Sequence, residues 1–195
     1  MALLRKLLFI YIFILLTFSY AYAGISVTDV VVEGDVASVT INDTIIIKEI
    51  KIVEKDGNKS LRFPEYVNKN SRAYAQVEVL GKKFLGDITA AVLLNKTSET
   101  NESLDFSIDN IFFLKDSSRR ANAYVSFNDT VKVTCGIMET KGDLWIAWPA
   151  RKEKDSWIDQ VVFVDKKFKK KVEAEVIRLY KEAQSEESDE VTGRR

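Results

Sequence analysis

Three short motifs occur twice in this chain, and each second copy follows the first by about 85 residues. The matched pairs are Asn42-Asp43-Thr44 with Asn128-Asp129-Thr130, Pro64 with Pro149, and Lys82-Lys83-Phe84 with Lys166-Lys167-Phe168. Self-similarity at a fixed spacing is typical of a duplicated structural unit. The sequence therefore predicts two similar units in one molecule, which limits the possible architectures more than any other feature.

Each unit is predicted to contain five strands followed by a helix, from β-branched runs, turn dipeptides and a helical apolar face. In the first unit the strands are Ile25–Val32, Val36–Ile41, Thr44–Glu54, Leu61–Phe63 and Ala73–Leu80, with a polar loop at Glu65–Ser71. The helix is Lys82–Leu94, with Phe84, Ile88, Ala91 and Val92 on one face.

The second unit repeats this order. Its predicted strands are Phe106–Leu114, Ala121–Phe127, Val131–Met138, Leu144–Trp148 and Ile158–Val164, with a charged loop after Pro149. Its helix is Lys166–Glu182, with Phe168, Val172, Val176 and Leu179 on the inner face. Two such units predict an α+β fold, each unit a mostly antiparallel five-stranded sheet with a C-terminal helix.

Composition divides the chain into five segments. These are a signal peptide at 1–23, the first unit at 24–94, a polar linker at 95–103, the second unit at 104–183 and an acidic disordered tail at 184–195. The first segment has Arg5 and Lys6 before an apolar run and ends in Ala21-Tyr22-Ala23, a pattern typical of signal peptidase cleavage. We expect export to the periplasm or the extracellular space after cleavage following Ala23. The alternative is an uncleaved membrane anchor.

Composition also argues against an enzyme. The chain contains no histidine, so Ser-His-Asp catalysis and His-ligated metal sites are excluded. Its formal net charge is zero. Asp155 and Asp159 allow a general acid–base interpretation, although loop carboxylates of this kind are usually only solvated. We expect no catalytic residues, metal or cofactor. Cys135 is interpreted as a buried structural thiol, or alternatively as a partner in an intermolecular disulfide.

Basic residues are concentrated near the end of the second unit. The candidate polyanion-binding residues are Arg151, Lys152, Lys154, Lys166, Lys167, Lys169, Lys170 and Lys171. Lysines in the first turn of a helix interact unfavourably with its dipole, and an anionic partner would explain why they are placed there. Trp148 and Trp157 are candidates for stacking on bases or for an interface. The alternative is a solvated helix face whose charge is offset by the acidic tail.

The second unit resembles the SpoVG family of small bacterial proteins. The resemblance rests on Gly142–Lys152, which includes Ala147-Trp148-Pro149-Ala150 before Arg151 and Lys152, on the aromatic Trp157, and on the helix that follows. It extends from Phe106 to about Ala183 and reaches the first unit only through the repeat. Members of that family bind DNA and RNA, affect septation and sporulation, and usually dimerise.

By resemblance, this chain would be a covalently linked pair of such domains, a monomer that packs as an intramolecular pseudo-dimer. Two features depart from the family: the export signal, and the first unit's Pro64-Glu65-Tyr66-Val67, which lacks basic residues after the proline. We therefore expect an exported, non-enzymatic protein that binds nucleic acid, another anionic polymer or a protein through its second unit. The alternative is a periplasmic or envelope structural module whose sheet edges pair with a protein partner, without nucleic-acid binding.

Overall fold

The computed structural model describes residues 24–100, 102–115 and 117–192, with side chains through Glu186. The fold is α+β, and every strand pairing among the described residues is antiparallel. This confirms the predicted fold class and the mostly antiparallel pairing. The predicted signal peptide and its cleavage site lie outside the described residues.

The first half of the chain contains seven strands and one helix. The strands are β1 (Val27–Glu33), β2 (Val36–Ile41), β3 (Ile45–Lys55), β4 (Asn58–Arg62), β5 (Glu65–Val67), β6 (Ala73–Ala75) and β7 (Val77–Val79), and the helix is α1 (Lys82–Leu94). The second half has the same order. Its elements are β8 (Phe106–Phe113), β9 (Arg119–Phe127), β10 (Val131–Thr140), β11 (Asp143–Ala147), β12 (Ala150–Glu153), β13 (Ser156–Asp159), β14 (Val161–Phe163) and α2 (Lys166–Thr192).

These strands form two five-stranded sheets and two separate hairpins. One sheet has the order β1-β2-β3-β14, with β4 also paired to β3; the other has the order β11-β10-β9-β8, with β7 also paired to β10. The hairpins are β5–β6 and β12–β13. Each large sheet therefore takes four strands from one half of the chain and one strand from the other half.

This exchange of strands is reciprocal. Strand β7 runs along Val131–Val133 of β10, and β14 runs along Ile45–Ile47 of β3. Two backbone hydrogen bonds extend these pairings, because Leu80 N donates to Thr130 O and Val164 N donates to Thr44 O, both at 2.8 Å. Neither large sheet is complete without a strand from the other half.

The predicted fifth strand of each unit is in fact two strands, separated at Gln76 and Gln160. Backbone carbonyls of the two prolines hold these breaks: Pro64 O accepts from Gln76 N at 3.0 Å, and Pro149 O accepts from Gln160 N at 2.8 Å. The prediction of loops after both prolines was also wrong, because the chain forms the β5–β6 and β12–β13 hairpins there. These strands are short and exposed, so they lack the apolar alternation that identifies a strand in a sequence.

The repeated Asn-Asp-Thr motif forms the same turn twice. Asn42 and Asp43 have φ of 45° and 49°, and the residues of the second motif have φ of 46° and 49°. Asn and Asp tolerate this left-handed conformation better than other non-glycine residues. The Oδ1 atom of each asparagine accepts a backbone hydrogen bond at 2.8 Å, from Ser26 N in one turn and Asp105 N in the other.

Helix α1 has the bounds that the sequence predicted, and its four predicted face residues are all buried. In α2 the buried stripe is Val172, Val176 and Tyr180, whereas the predicted Leu179 is only half-buried. Phe168 joins the helix to an aromatic cluster, with ring centroids 6.1 Å from Phe127 and 5.7 Å from Phe106. Apolar side chains from both halves contribute to one continuous core.

Helix α2 extends past its predicted end at Glu182 to Thr192, over much of the tail for which the sequence predicted disorder. No glycine or proline interrupts it before Gly193, and Arg178 forms ion pairs with Glu175 and Glu182 on neighbouring turns. Such pairs support a solvent-exposed helix. None of the described helices is both long enough and apolar enough to span a bilayer.

Candidate polyanion-binding surface

The β12–β13 hairpin carries the first group of candidate residues. Its register places Arg151 opposite Ile158 and Lys152 opposite Trp157. Lys154 lies in the turn, with a φ of 53°. The hairpin therefore presents two lysines and an indole ring, which is 69% exposed, on one short projection from the sheet.

Arg151 is engaged within the protein. Its Nε donates to Glu49 Oε1 at 2.5 Å, and its Nη2 lies 3.0 Å from Glu153 Oε2. Glu49 also accepts from Gln160 Nε2 at 3.0 Å. Glu49 belongs to β3 and has a φ of 58°, a conformation that is uncommon for a non-glycine residue. Arg151 thus fastens the hairpin to the sheet of the first half, which leaves less of its charge for a ligand.

The start of α2 carries the second group of candidates. Asp165 caps this helix, because its Oδ1 accepts from Lys167 N at 2.7 Å and from Phe168 N at 3.1 Å. The Nζ of Lys166 donates to Phe163 O at 3.1 Å, and the Nζ of Lys169 lies 3.6 Å from Glu173 Oε1. The capping carboxylate offsets part of the unfavourable interaction between these lysines and the helix dipole.

Four of the candidate lysines have no ion pair, side-chain hydrogen bond or ring contact within the described side chains: Lys152, Lys154, Lys167 and Lys170. All four are exposed. Lys171 differs, because its Nζ lies 5.3 Å from the centre of the Phe106 ring and the residue lines a separate small cleft with Asp105. The candidate residues therefore do not form one uniform patch.

The three tryptophans have different environments. Trp148 is half-buried: its Nε1 donates to Glu173 Oε1 at 2.9 Å, and its ring centroid lies 4.5 Å from that of Phe163. Its indole therefore attaches the end of β11 to α2, which makes it a packing residue first. Trp145 is 47% exposed, and Trp157 is the most exposed of the three.

A cavity of about 520 Å³ brings part of both groups together. Its lining includes Trp148 and Trp157 from the segment around the hairpin, and Lys166 and Lys169 from α2. It also includes Arg119 at the start of β9, which the sequence analysis missed. Gly136 was the available signal, because a glycine inside a strand often marks a close approach.

The remaining candidate groups have ordinary structural surroundings. Asp159 lines the cavity, and no group of acidic or thiol side chains in the described part of the chain is arranged to hold a metal ion. Cys135 is completely buried in β10, and burial raises the pKa of its thiol to about 12. The interpretation of Cys135 as a buried thiol is confirmed.

Together these features define an α+β protein with a basic surface beside a tryptophan-lined cavity. Comparison with known proteins finds no matching family model, no matching curated protein and no matching solved structure.

Proposed function

We propose that the chain is a tandem pair of duplicated SpoVG-like units that packs as an intramolecular pseudo-dimer. Its strongest support is the reciprocal pairing of β7 with β10 and of β14 with β3. The equivalent turns at Asn42 and Asn128, with nearly equal φ values, support the same interpretation. In a domain-swapped symmetric dimer, each subunit gives the same element to the other. Here one chain would supply both partners, so the protein would be monomeric.

The function that the geometry supports best is non-enzymatic binding of an anionic polymer through the second half. The observation that carries this proposal is the set of exposed lysines without ion pairs in the described side chains, on the β12–β13 hairpin and at the start of α2, one of which, Lys152, lies opposite the exposed Trp157. Lysine ammonium groups contact phosphates as point charges, and exposed aromatic rings stack on bases. The corresponding hairpin of the first half has Tyr66 and Val67 in place of Arg151 and Lys152. The proposed binding residues therefore lie in the second half only.

The family resemblance adds a regulatory role in septation or sporulation to this proposal. The sequence pattern of residues 1–23 adds export to the periplasm or the extracellular space. An exported protein would meet envelope or extracellular polyanions more readily than the chromosome. Within this proposal, nucleic acid is one member of a wider ligand class.

A matched pair of charge-reversal variants tests the polyanion site. Lys167→Glu/Lys170→Glu changes the proposed surface, whereas Lys82→Glu/Lys83→Glu makes the same change in net charge at the start of α1. We expect the first variant to lose retention on heparin and to bind a single-stranded oligothymidylate more weakly. The slope of log K against log salt should fall by about 0.7 for each phosphate that the variant no longer neutralises. The α1 variant should keep the wild-type slope, and equal slopes in all three proteins would refute the proposed site.

The rival function is that of an envelope structural or protein-interaction module, and the sheet edges favour it. Strands β1 and β8 each pair on one side only in the described part of the chain. Both expose apolar side chains, including Val31, Val32, Phe112 and Phe113. An extended partner segment can add to such an edge through main-chain hydrogen bonds.

Salt dependence separates the two functions. Polyanion binding weakens steeply as salt rises, because bound counterions are released on association. Pairing at a sheet edge relies on main-chain hydrogen bonds and apolar contacts, so its affinity changes little with salt. A partner captured from envelope extracts at low salt and retained at high salt would favour the structural module.

A further inference from the structure

The cavity of about 520 Å³ lies where the two halves of the molecule meet. The first half contributes Tyr66 from β5 and Gln76 from the break before β7. The second half contributes residues of β9, β10, β11, the β12–β13 hairpin, β14 and α2. This volume is within the range of pockets that hold small organic ligands.

The walls of the cavity are aromatic. Trp145, Trp148, Trp157 and Tyr66 all contribute to its lining. Three of these rings are exposed, at 47% for Trp145, 69% for Trp157 and 55% for Tyr66. Exposed aromatic rings around a concave site favour a ligand with a flat, apolar body.

Arg119 places in this cavity a cation that has no counter-ion among the described side chains. Its Nε is buried and has no hydrogen-bond partner among the described residues. Burial also lowers the pKa of its guanidinium from the ordinary value. A partly buried guanidinium without a carboxylate is unfavourable by itself, and a bound anion would compensate it.

Gly136 is what allows this guanidinium to lie against the sheet. A Cβ atom at position 136 would lie 2.5 Å from Arg119 Nε and 2.8 Å from its Cζ. Neighbouring Arg120 points to the opposite face of the strand and is paired with Glu139, its Nε 2.6 Å from Oε2. The unpaired arginine therefore packs directly against the backbone of β10 at Gly136.

The two lysines that line the cavity have partners within the protein. Lys169 is paired with Glu173, and Lys166 donates to the Phe163 carbonyl oxygen. The lining contains one acidic residue, Asp159, and three basic residues. An anionic ligand therefore meets a net positive field, with Arg119 as the group that still lacks a partner within the described part of the chain.

A second cleft shows that these features do not follow from the fold alone. It also measures about 520 Å³ and lies beside β4 in the first half, lined by residues such as Leu61, Phe63 and Val77. Its lining contains no tryptophan, and its arginine, Arg62, lies near Glu65, with Nε 3.8 Å from Oε2. Aromatic walls together with an unpaired guanidinium are found in the second-half cavity.

We infer that this cavity binds a small organic anion, with a flat apolar body among Trp145, Trp157 and Tyr66 and a terminal carboxylate or phosphate on Arg119. Both anionic groups suit the fork of a guanidinium, which binds two oxygens at once. This inference goes beyond polymer binding, because Arg119 is not part of the proposed polyanion surface. The cavity and the polyanion surface share Trp157, Lys166 and Lys169. The two ideas can still fail separately, because their tests change different residues: Arg119 and Gly136 for the cavity, Lys167 and Lys170 for the surface.

Isothermal titration calorimetry on the full chain tests the inference with three probes of nearly the same shape: 2-naphthoate, 2-naphthyl phosphate and neutral 2-naphthamide. The wild type should bind at least one anion about tenfold or more tightly than the amide. A preference between the two anions identifies the group that the site is built for. Equal affinity for all three probes would overturn the inference.

Two variants and a control locate the site. Arg119→Met should reduce the affinity for the preferred anion to that of the amide, whereas Arg120→Met removes the same charge from the other face and should leave binding unchanged. Gly136→Ala keeps the charge but displaces the guanidinium, so it should cause a similar loss. Melting temperatures verify that each variant is folded. Undiminished anion binding by a folded Arg119→Met or Gly136→Ala protein would overturn the inference.

Discussion

The side chain of Arg151 illustrates how a residue's neighbours change what it can do. In the sequence it belongs to a basic run, yet in the structure Glu49 holds it, and Gln160 donates to the same carboxylate. Glu49 lies far away in the chain and in an unusual backbone conformation. No local pattern could have revealed this pairing, since it depends on how the two halves pack.

Cys135 gives a prediction about stability and pH. Burial raises the pKa of its thiol from the ordinary 9.0 to about 12. Above pH 9 the unfolded state therefore loses the thiol proton while the folded state keeps it. The contribution of Cys135 to the free energy of unfolding is thus fully present below pH 9 and is lost as pH rises. The stability of the wild type relative to Cys135→Ala should fall by about 1.4 kcal/mol per pH unit between pH 9 and 12.

Urea unfolding of both proteins at several pH values measures this difference, and the shared lysines and tyrosines cancel in it. Parallel stability curves for the wild type and Cys135→Ala would contradict the buried, protonated thiol. In the native protein the thiol should also resist iodoacetamide until the protein unfolds, because the thiolate is the reactive form.

At the scale of elements, the cap of α2 supplies the next prediction. The Oδ1 of Asp165 accepts from two backbone N–H groups at the start of the helix, whereas α1 begins at Gly81 without a side-chain cap. Asp165→Ala should lower the free energy of unfolding by about 1 kcal/mol, and Asp165→Ser should lower it much less. Thermal unfolding followed by circular dichroism measures both. Equal losses would mean that the carboxylate acts through its charge alone.

The sequence predicted those elements whose residues have a strong periodicity. Helix α1 has its predicted bounds, and β2 runs from Val36 to Ile41 as expected. The sequence missed β5 and β12 and merged β6 and β13 with the strands that follow them; these four strands are three or four residues long and mostly exposed. Each hairpin is closed by a proline carbonyl, because Pro64 O accepts from Gln76 N and Pro149 O accepts from Gln160 N at the far end of the hairpin.

The candidate site was predictable only in part, for a similar reason. The lysines and tryptophans of the second half stand close together in the sequence, so their composition revealed them. Arg119 enters the cavity from another strand, and Tyr66 comes from the other half of the chain. Strand pairing between distant parts of the chain brings these residues to the cavity, and a local sequence pattern carries no information about such pairing.

At the scale of the whole molecule, the two halves have the same strand order but different surfaces. Each half completes the other's sheet through one short strand. The second half carries the tryptophans and the basic hairpin, while the matching hairpin of the first half presents Tyr66 and Tyr74. If the halves arose by duplication, as we propose, one copy can keep the shared fold while the other also carries the proposed binding residues.

The central claim is that two duplicated halves complete each other's sheets, and the mass of an isolated half in solution tests it most directly. A fragment of residues 102–192 lacks β7, so Val131–Val133 of its β10 keep their pairing with β9 but lose their partner on the other edge. We expect two copies to associate, with β14 of each copy pairing with β10 of the other. Sedimentation equilibrium should then give twice the fragment mass, and addition of residues 24–100 should convert the dimer into a complex of the two different halves. A folded fragment that stays monomeric, and that the first half does not bind, would contradict the account.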